Sequence, residues 1–182
     1  MAIREVRTIG DDILGKVCKP VKQKDERLMQ LLEDMFETMY ETGGVGIAAP
    51  QVGVLKRVVC MDVGDGNQYV MINPEIIELS GEQTGMEGCL SVPGKRGQVT
   101  RANYAKVKAL NENWEEIIIE GEELLARCIQ HECDHLDGIL YVSKVEGELV
   151  DQEVEEDEDE ESYENRFYGN TGLCCSDPGI PH

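Results

Sequence analysis

The chain has no apolar run approaching the roughly 18 residues of a membrane span, so no transmembrane helix and no membrane partner are expected. Positive charge is short: 17 Lys and Arg face 37 Asp and Glu, a formal net charge of −20. That balance repels phosphate and no basic stripe is visible, which argues against direct nucleic-acid binding. The opening residues, Met1-Ala2-Ile3-Arg4-Glu5-Val6-Arg7, are charged and hold no apolar stretch. No signal peptide is expected, and a cytoplasmic location follows. Seven cysteines are an odd number, which in a chain without an export signal argues for reduced thiols rather than a disulfide framework. Internal repeats are absent, and 182 residues suit one domain with a sizeable core, plus a tail. Histidine is scarce as well, at three in all, but two of the three stand in one hexapeptide.

That hexapeptide is Gln130-His131-Glu132-Cys133-Asp134-His135, an HExxH arrangement. At about 100° per residue, helical positions i and i+4 lie about 40° apart, so both imidazoles project from one helix face and can grip one ion. Glu132 follows the first ligand directly and can reach a water near the ion without binding the ion itself, the position of a general base. A catalytic divalent site usually takes three protein ligands and leaves one position open. A third ligand is therefore needed. Metzincins supply a further histidine beyond a glycine, but here Gly138 is followed three residues later by Tyr141. The glutamates after His135 fall mostly in a charge run unsuited to packing on a buried ion.

Cys89, in Glu87-Gly88-Cys89-Leu90-Ser91-Val92-Pro93, is the better candidate, because His2Cys with an open fourth position suits zinc or ferrous iron. Spacing alone does not settle it, since six other cysteines compete. Cys133 lies about 200° around the helix from the metal face, and Cys128, three residues before His131, is suited to a pocket wall. A third segment, Gly43-Gly44-Val45-Gly46-Ile47-Ala48-Ala49-Pro50-Gln51-Val52-Gly53, lacks the lysine and hydroxyl residue of a phosphate loop. Its glycines, Gly44 and Gly46 among them, let backbone approach a ligand closely, and Gln51 can donate to a developing oxyanion.

Gly44 to Gln51, Glu87 to Ser91 and Gln130 to Leu136 together resemble, in order and separation, the three motifs of the peptide deformylase family. The resemblance spans about residues 1–147. It implies that Cys89, His131 and His135 hold one divalent metal, typically Fe(II), with zinc, nickel or cobalt able to replace it. It also implies that Glu132 is the general acid/base and that Gln51 and the Leu90 N–H form an oxyanion hole. The implied reaction removes the formyl group from the formylmethionine of new polypeptides, so formyl-methionyl peptides and ribosome-associated nascent chains become the expected partners of a monomer. Glu87 and Arg96 would flank the substrate, and Ile47, Leu125, Cys128 and Met86 would line its methionine slot. Two rival readings are an HExxH endopeptidase, which Tyr141 disfavours, and a metal protein without turnover, which the presence of both Glu132 and Gln51 disfavours.

Periodicity predicts an amphipathic helix over residues 25–42, with Asp25 as N-cap, Gly43 as stop and a core-facing stripe of Leu28, Leu31, Leu32, Met35, Phe36, Met39 and Tyr40. Strands are predicted at 57–63, 68–73, 76–80, 105–111 and 115–120, with hairpin turns at 64–67 and 111–113. A second helix over 122–137 carries the HExxH residues. The class expected is α+β, with antiparallel sheets packed around that metal-binding helix and an amphipathic helix near the N-terminus. Residues 146–166 hold twelve acidic side chains and one arginine. Accordingly 148–182 is read as a solvated, disordered acidic tail, with Cys174 and Cys175 incidental and binding of a basic partner the lesser alternative.

Overall fold

Asp25 turns its carboxylate back onto the Leu28 N–H at 2.8 Å, and this cap starts helix α1, Glu26–Glu41. The computed structural model of the chain describes residues 2–152. Leu28, Leu31, Leu32, Met35 and Met39 form the buried stripe of α1, which ends at Thr42 before Gly43, whose φ of 70° only glycine adopts without strain. Tyr40 departs from the expected core stripe. It is 40% exposed, and its hydroxyl donates to Asp62 at 2.6 Å.

Eight strands follow: β1 Gly46–Ala48, β2 Val58–Met61, β3 Tyr69–Ser80, β4 Gln83–Cys89, β5 Val92–Arg101, β6 Tyr104–Leu110, β7 Glu116–Glu122 and β8 Val150–Asp151, with helix α2, Glu123–Leu136, between β7 and β8. One sheet runs β1-β2-β3-β6-β7 and a second runs β4-β5-β8, with every pairing antiparallel. This is an α+β fold of antiparallel sheets. No helix among the described residues is long and apolar enough to cross a membrane.

The larger sheet carries a helix on each face, and β2 shows how. Val58 and Cys60 pack with Leu28, Met35 and Met39 of α1, while Val59 and Met61 pack with Ala126, Cys128 and Ile129 of α2. Side chains alternate across a strand, so a strand buried on both sides reads as a continuous apolar run. The same alternation governs β1: Ile47 faces the α1 core, whereas Ala48 faces α2, and Gly46 shares the α2 side.

Three elements differ from the sequence reading. The strands expected at 68–73 and 76–80 are one bent strand, β3. Asn73 takes φ 52° at a register shift and holds both backbone groups of Val21 through its amide, each at 2.8 Å. The β4–β5 hairpin was not foreseen, because its glycines, proline and charges hide any alternation. Finally, the expected boundary at 147 is passed: Val150 and Asp151 pair with Arg96 and Lys95, and the Gln152 N–H donates to Gly94 at 2.9 Å. The remainder of the acidic segment, including Cys174 and Cys175, lies outside the described residues.

Candidate metal centre and active site

Helix α2 and strand β4 meet where the HExxH segment faces Cys89. His131 and His135, one turn apart, bring their Nε2 atoms to 3.2 Å, and Cys89 Sγ lies 3.3 Å from His135 Nε2. All three ligand atoms fall within 4.8 Å of one another, and all three residues are buried. Three electron-pair donors converge on one point where only a proton or a cation can sit between them. Such a His2Cys set, with one side open to a pocket, fits a catalytic divalent ion of borderline softness such as zinc or ferrous iron.

That pocket is lined by Gly44, Val45, Gly46, Gln51, Gly88, Cys89, Leu90, His131 and Glu132. Its cavity volume of about 10 Å³ is on the scale of a single water. Glu132 is 1% exposed, and its Oε2 has no hydrogen-bond partner among the described residues. Burial pushes its carboxyl up to about 7. An unpaired buried carboxylate aimed at a polar pocket is costly for folding and useful for proton transfer. Gln51, on the short 3-10 helix Ala49–Val52, accepts the Ala48 N–H through Oε1 at 2.9 Å. That bond fixes which end of the amide faces inward: Nε2 points at Ser91 Oγ, 3.1 Å, and at Cys89 Sγ, 3.5 Å.

The other sequence candidates divide. Gly44 and Leu90 meet at the pocket edge, since a Cβ on Gly44 would stand 2.9 Å from the Leu90 side chain. Cys128 lies directly behind Gly46, with Sγ 2.9 Å from where a Cβ would be. Ile47, expected in the methionine slot, turns instead into the α1 core, because the pleat sends it to the opposite face from Gly46. Val45, just before β1, lines the pocket. Leu125 and Met86 are partly buried and lie outside that lining, Leu125 packing on Gly121. Arg96 pairs in register with Gly88 and Val150, and its Nε is buried without a hydrogen-bond partner among the described residues. Tyr141, which occupies the metzincin ligand position, packs its ring 6.0 Å from that of His131 and gives its hydroxyl to the Lys95 carbonyl.

Glu87 departs most from expectation. Expected beside the substrate, it is 0% exposed and wholly engaged within the protein. Its carboxylate contacts His131 Nδ1, takes Arg101 Nη2 at 2.6 Å and Nε at 2.8 Å, and takes Arg127 Nη1 at 2.7 Å. Burial alone would raise the Glu87 carboxyl, but the His131 imidazole and the Arg101 guanidinium hold it well below the usual carboxylate range. With this carboxylate at its back, His131 is pushed up against the opposing effect of burial, while burial and its neighbour push His135 down. A histidine anchored through Nδ1 presents Nε2 in a fixed direction. Arg101, Arg127 and Ser91 were not singled out by the sequence reading. Arg127 left one usable signal, an arginine four residues before His131 and so on the same helix face.

Comparison with known proteins agrees with this geometry. The model of the polypeptide deformylase family matches residues 3–149. The peptide deformylase of Agathobacter rectalis is 63% identical over 156 residues, covering 86% of this chain and 98% of that protein. That of Acetivibrio thermocellus is 53% identical over 172 residues, covering 94% of this chain and 100% of the relative. Among solved structures, a peptide deformylase from Thermotoga maritima superposes with a TM-score of 0.78 at 42% identity, covering 81% of this chain and 100% of that one. One from Legionella pneumophila gives 0.77 at 46% identity, over 80% and 87% of the two chains. The chain is an enzyme that belongs to the polypeptide deformylase family, membership of which implies removal of the N-formyl group from nascent peptides.

Proposed function

We propose that this enzyme hydrolyses the N-terminal formamide of formylmethionyl polypeptides, releasing formate and a free amine, with one divalent ion held by Cys89, His131 and His135. The observation that carries the reading is the convergence of those three ligand atoms beside the unpaired Glu132 carboxylate at one narrow pocket. When bound, the ion supplies Lewis-acid polarisation and makes water acidic enough to ionise near neutral pH. Glu132 takes a proton from the attacking water at the formyl carbon and returns it to the departing amine nitrogen as the C–N bond breaks. Gln51 Nε2 and the Leu90 N–H donate to the oxygen that gains charge in the tetrahedral transition state. The Ala48 N–H holds the Gln51 amide in place, so little reorganisation of that donor would accompany the reaction.

The narrow pocket supports selection of formyl over larger acyl groups. For the methionine side chain, Val45 and Cys128 form the proposed wall, with Leu125 and Met86 as outer candidates; Gly44 and Gly46 allow close approach of the peptide. Arg96 is the proposed contact to the peptide backbone. The metal in the cell is proposed to be Fe(II), and the working form a cytoplasmic monomer acting on chains emerging from ribosomes. Antiparallel sheets around the HExxH helix, braced by α1, are the scaffold on which this reading rests.

The direct test is formate release from a formyl-Met-Ala-Ser peptide by protein purified anaerobically with Fe(II), alongside a chelated control. Chelator-sensitive formate is the expected result. Metal-loaded protein that releases none, or that cleaves unformylated peptides internally, would overturn the reading.

A further inference from the structure

Arg127 and His131 are four residues apart on α2, and both contact the same carboxylate on another element. Glu87, on β4, receives Arg101 along one edge through Nη2 and Nε. His131 Nδ1 shares Oε1 with that arginine, and Arg127 Nη1 takes Oε2 at 2.7 Å. Arg127 does more than close this set. Its Nη2 donates to the Val99 carbonyl of β5 at 3.1 Å and its Nε to Gln83 Oε1 of β4 at 3.2 Å. One planar side chain thus joins the helix that bears both histidines to the two strands of the hairpin that bears Cys89. The guanidinium is 1% exposed, and its bonds to Gln83, Glu87 and Val99 all run to that hairpin.

A planar fork with fixed N–H directions sets distance and angle together, which a flexible ammonium does not. Glu87, Arg101, Arg127, Asp134 and Lys144 form one ion-pair cluster, in which Asp134 accepts from Arg101 and from Lys144, each at 2.9 Å. Cys89 lies two residues beyond Glu87 on the same strand. Whatever holds Glu87 against α2 therefore also sets the separation of the thiolate from the two imidazoles.

We propose that Arg127 is a positioning residue for the metal site: through Glu87 it aims His131 Nε2, and through Val99 and Gln83 it holds helix and hairpin at the spacing that lets Cys89, His131 and His135 share one ion. This rests on the metal reading above. Arg127 lies outside the three segments that carry the family resemblance.

The experiment measures affinity for Zn(II) by chelator competition and for Co(II) by its visible spectrum, at a temperature far below unfolding. Wild type, Arg127→Met, Arg127→Lys, Glu87→Gln and the double variant Arg127→Met with Glu87→Gln are compared. Arg127→Met is expected to bind either ion about 10- to 100-fold more weakly, the loss typical when a partner that orients a metal ligand is removed. Arg127→Lys should fall between, since an ammonium can reach Glu87 or Val99 but cannot span both and Gln83. In the Glu87→Gln background, Arg127→Met should cost distinctly less than it does alone, because part of its route to His131 is already cut. Wild-type affinity in folded Arg127→Met would overturn the proposal, as would fully additive losses. If Arg127→Met does not fold, Arg127→Lys decides alone: weaker binding supports the positioning role and unchanged binding refutes it. Absence of metal binding by the wild type would instead refute the metal reading itself.

Discussion

Gly46 and Glu132 occupy adjoining space so closely that a Cβ on Gly46 would stand 2.6 Å from Glu132 Oε1 and 2.9 Å from Cys128 Sγ. The backbone of β1 is therefore the wall against which the carboxylate rests, and only glycine leaves room for it. Gly46→Ala is expected to push Glu132 aside and lower kcat/KM about 100-fold, the cost of misplacing a reacting group by about 1 Å. Metal content should be unaffected. A variant with wild-type turnover would show that Glu132 does not need this position.

Glu132 and His135 should fail in different ways. Glu132→Gln keeps the volume but removes the base, so kcat is expected to fall by about 10²- to 10⁴-fold while bound metal, measured by elemental analysis, stays at wild-type level. His135→Ala removes a ligand and should lose the metal itself. Burial pushes Glu132 up to about 7, and a cation at the neighbouring ligands favours the carboxylate. The acid limb of the kcat/KM profile is thus expected at or below about pH 7. It should be missing from the residual activity of Glu132→Gln.

Gln51 lends itself to a cleaner substitution than truncation. Gln51→Glu retains an oxygen for the Ala48 N–H, now bonded at 2.9 Å, and removes the Nε2 donor that faces Ser91 and Cys89. Loss of one oxyanion donor costs about 10²- to 10³-fold in kcat, with little change in KM. An equal rise in KM would mean that the amide holds the ground state rather than the transition state.

How far these elements were legible in the sequence follows from how local their causes are. The α1 stripe and the Asp25 cap repeat at helical spacing within one segment, and His131, Glu132 and His135 lie within five residues of each other. A linear reading finds such features. The internal role of Glu87 is not legible in the sequence because its partners, Arg101, Arg127 and His131, come from β5 and α2 and meet only once the hairpin packs on the helix. Val45 and Ile47, two residues apart, would share one face of a continuous strand; Val45 lies just before β1 and escapes that alternation, which the sequence does not mark. The pairing of β8 is invisible in an acidic segment, since the edge of β5 supplies it.

Asp34 ties the N-terminal segment to α1, accepting the Ala2 N–H at 2.8 Å, Arg4 Nε at 2.9 Å and Gln30 Nε2 at 2.8 Å. Burial alone would raise its carboxyl, but those donors more than offset it, and the group is held below the usual carboxylate range. A depressed folded-state value means the stabilisation is fully present above the unfolded value of about 4 and is lost as pH falls through the folded one. Asp34→Asn is accordingly expected to cost about 1 kcal/mol at pH 7 in urea unfolding, with the gap to wild type closing below about pH 4. A gap that persists at pH 3 would locate the cost in packing.

The C-terminal boundary can be decided by two truncations. Ending the chain at Gly147 removes β8, the Gln152–Gly94 hydrogen bond and the Lys95–Asp151 ion pair, along with Leu149, which packs over Gly97. The ion pair is exposed and contributes little, so the loss should be about 1 kcal/mol from apolar contact and hydrogen bonding, or roughly 2–4 °C in Tm. Arg96, which pairs with Val150, also loses its partner on the adjacent strand, and KM for a formylated tripeptide is expected to rise more than kcat falls. Ending the chain at Gln152 keeps each of these contacts and should match the full chain in both Tm and KM. If the two truncations behave alike, β8 contributes nothing measurable and the catalytic unit does end at 147; if only the shorter one is impaired, the first residues of the acidic segment belong to the fold.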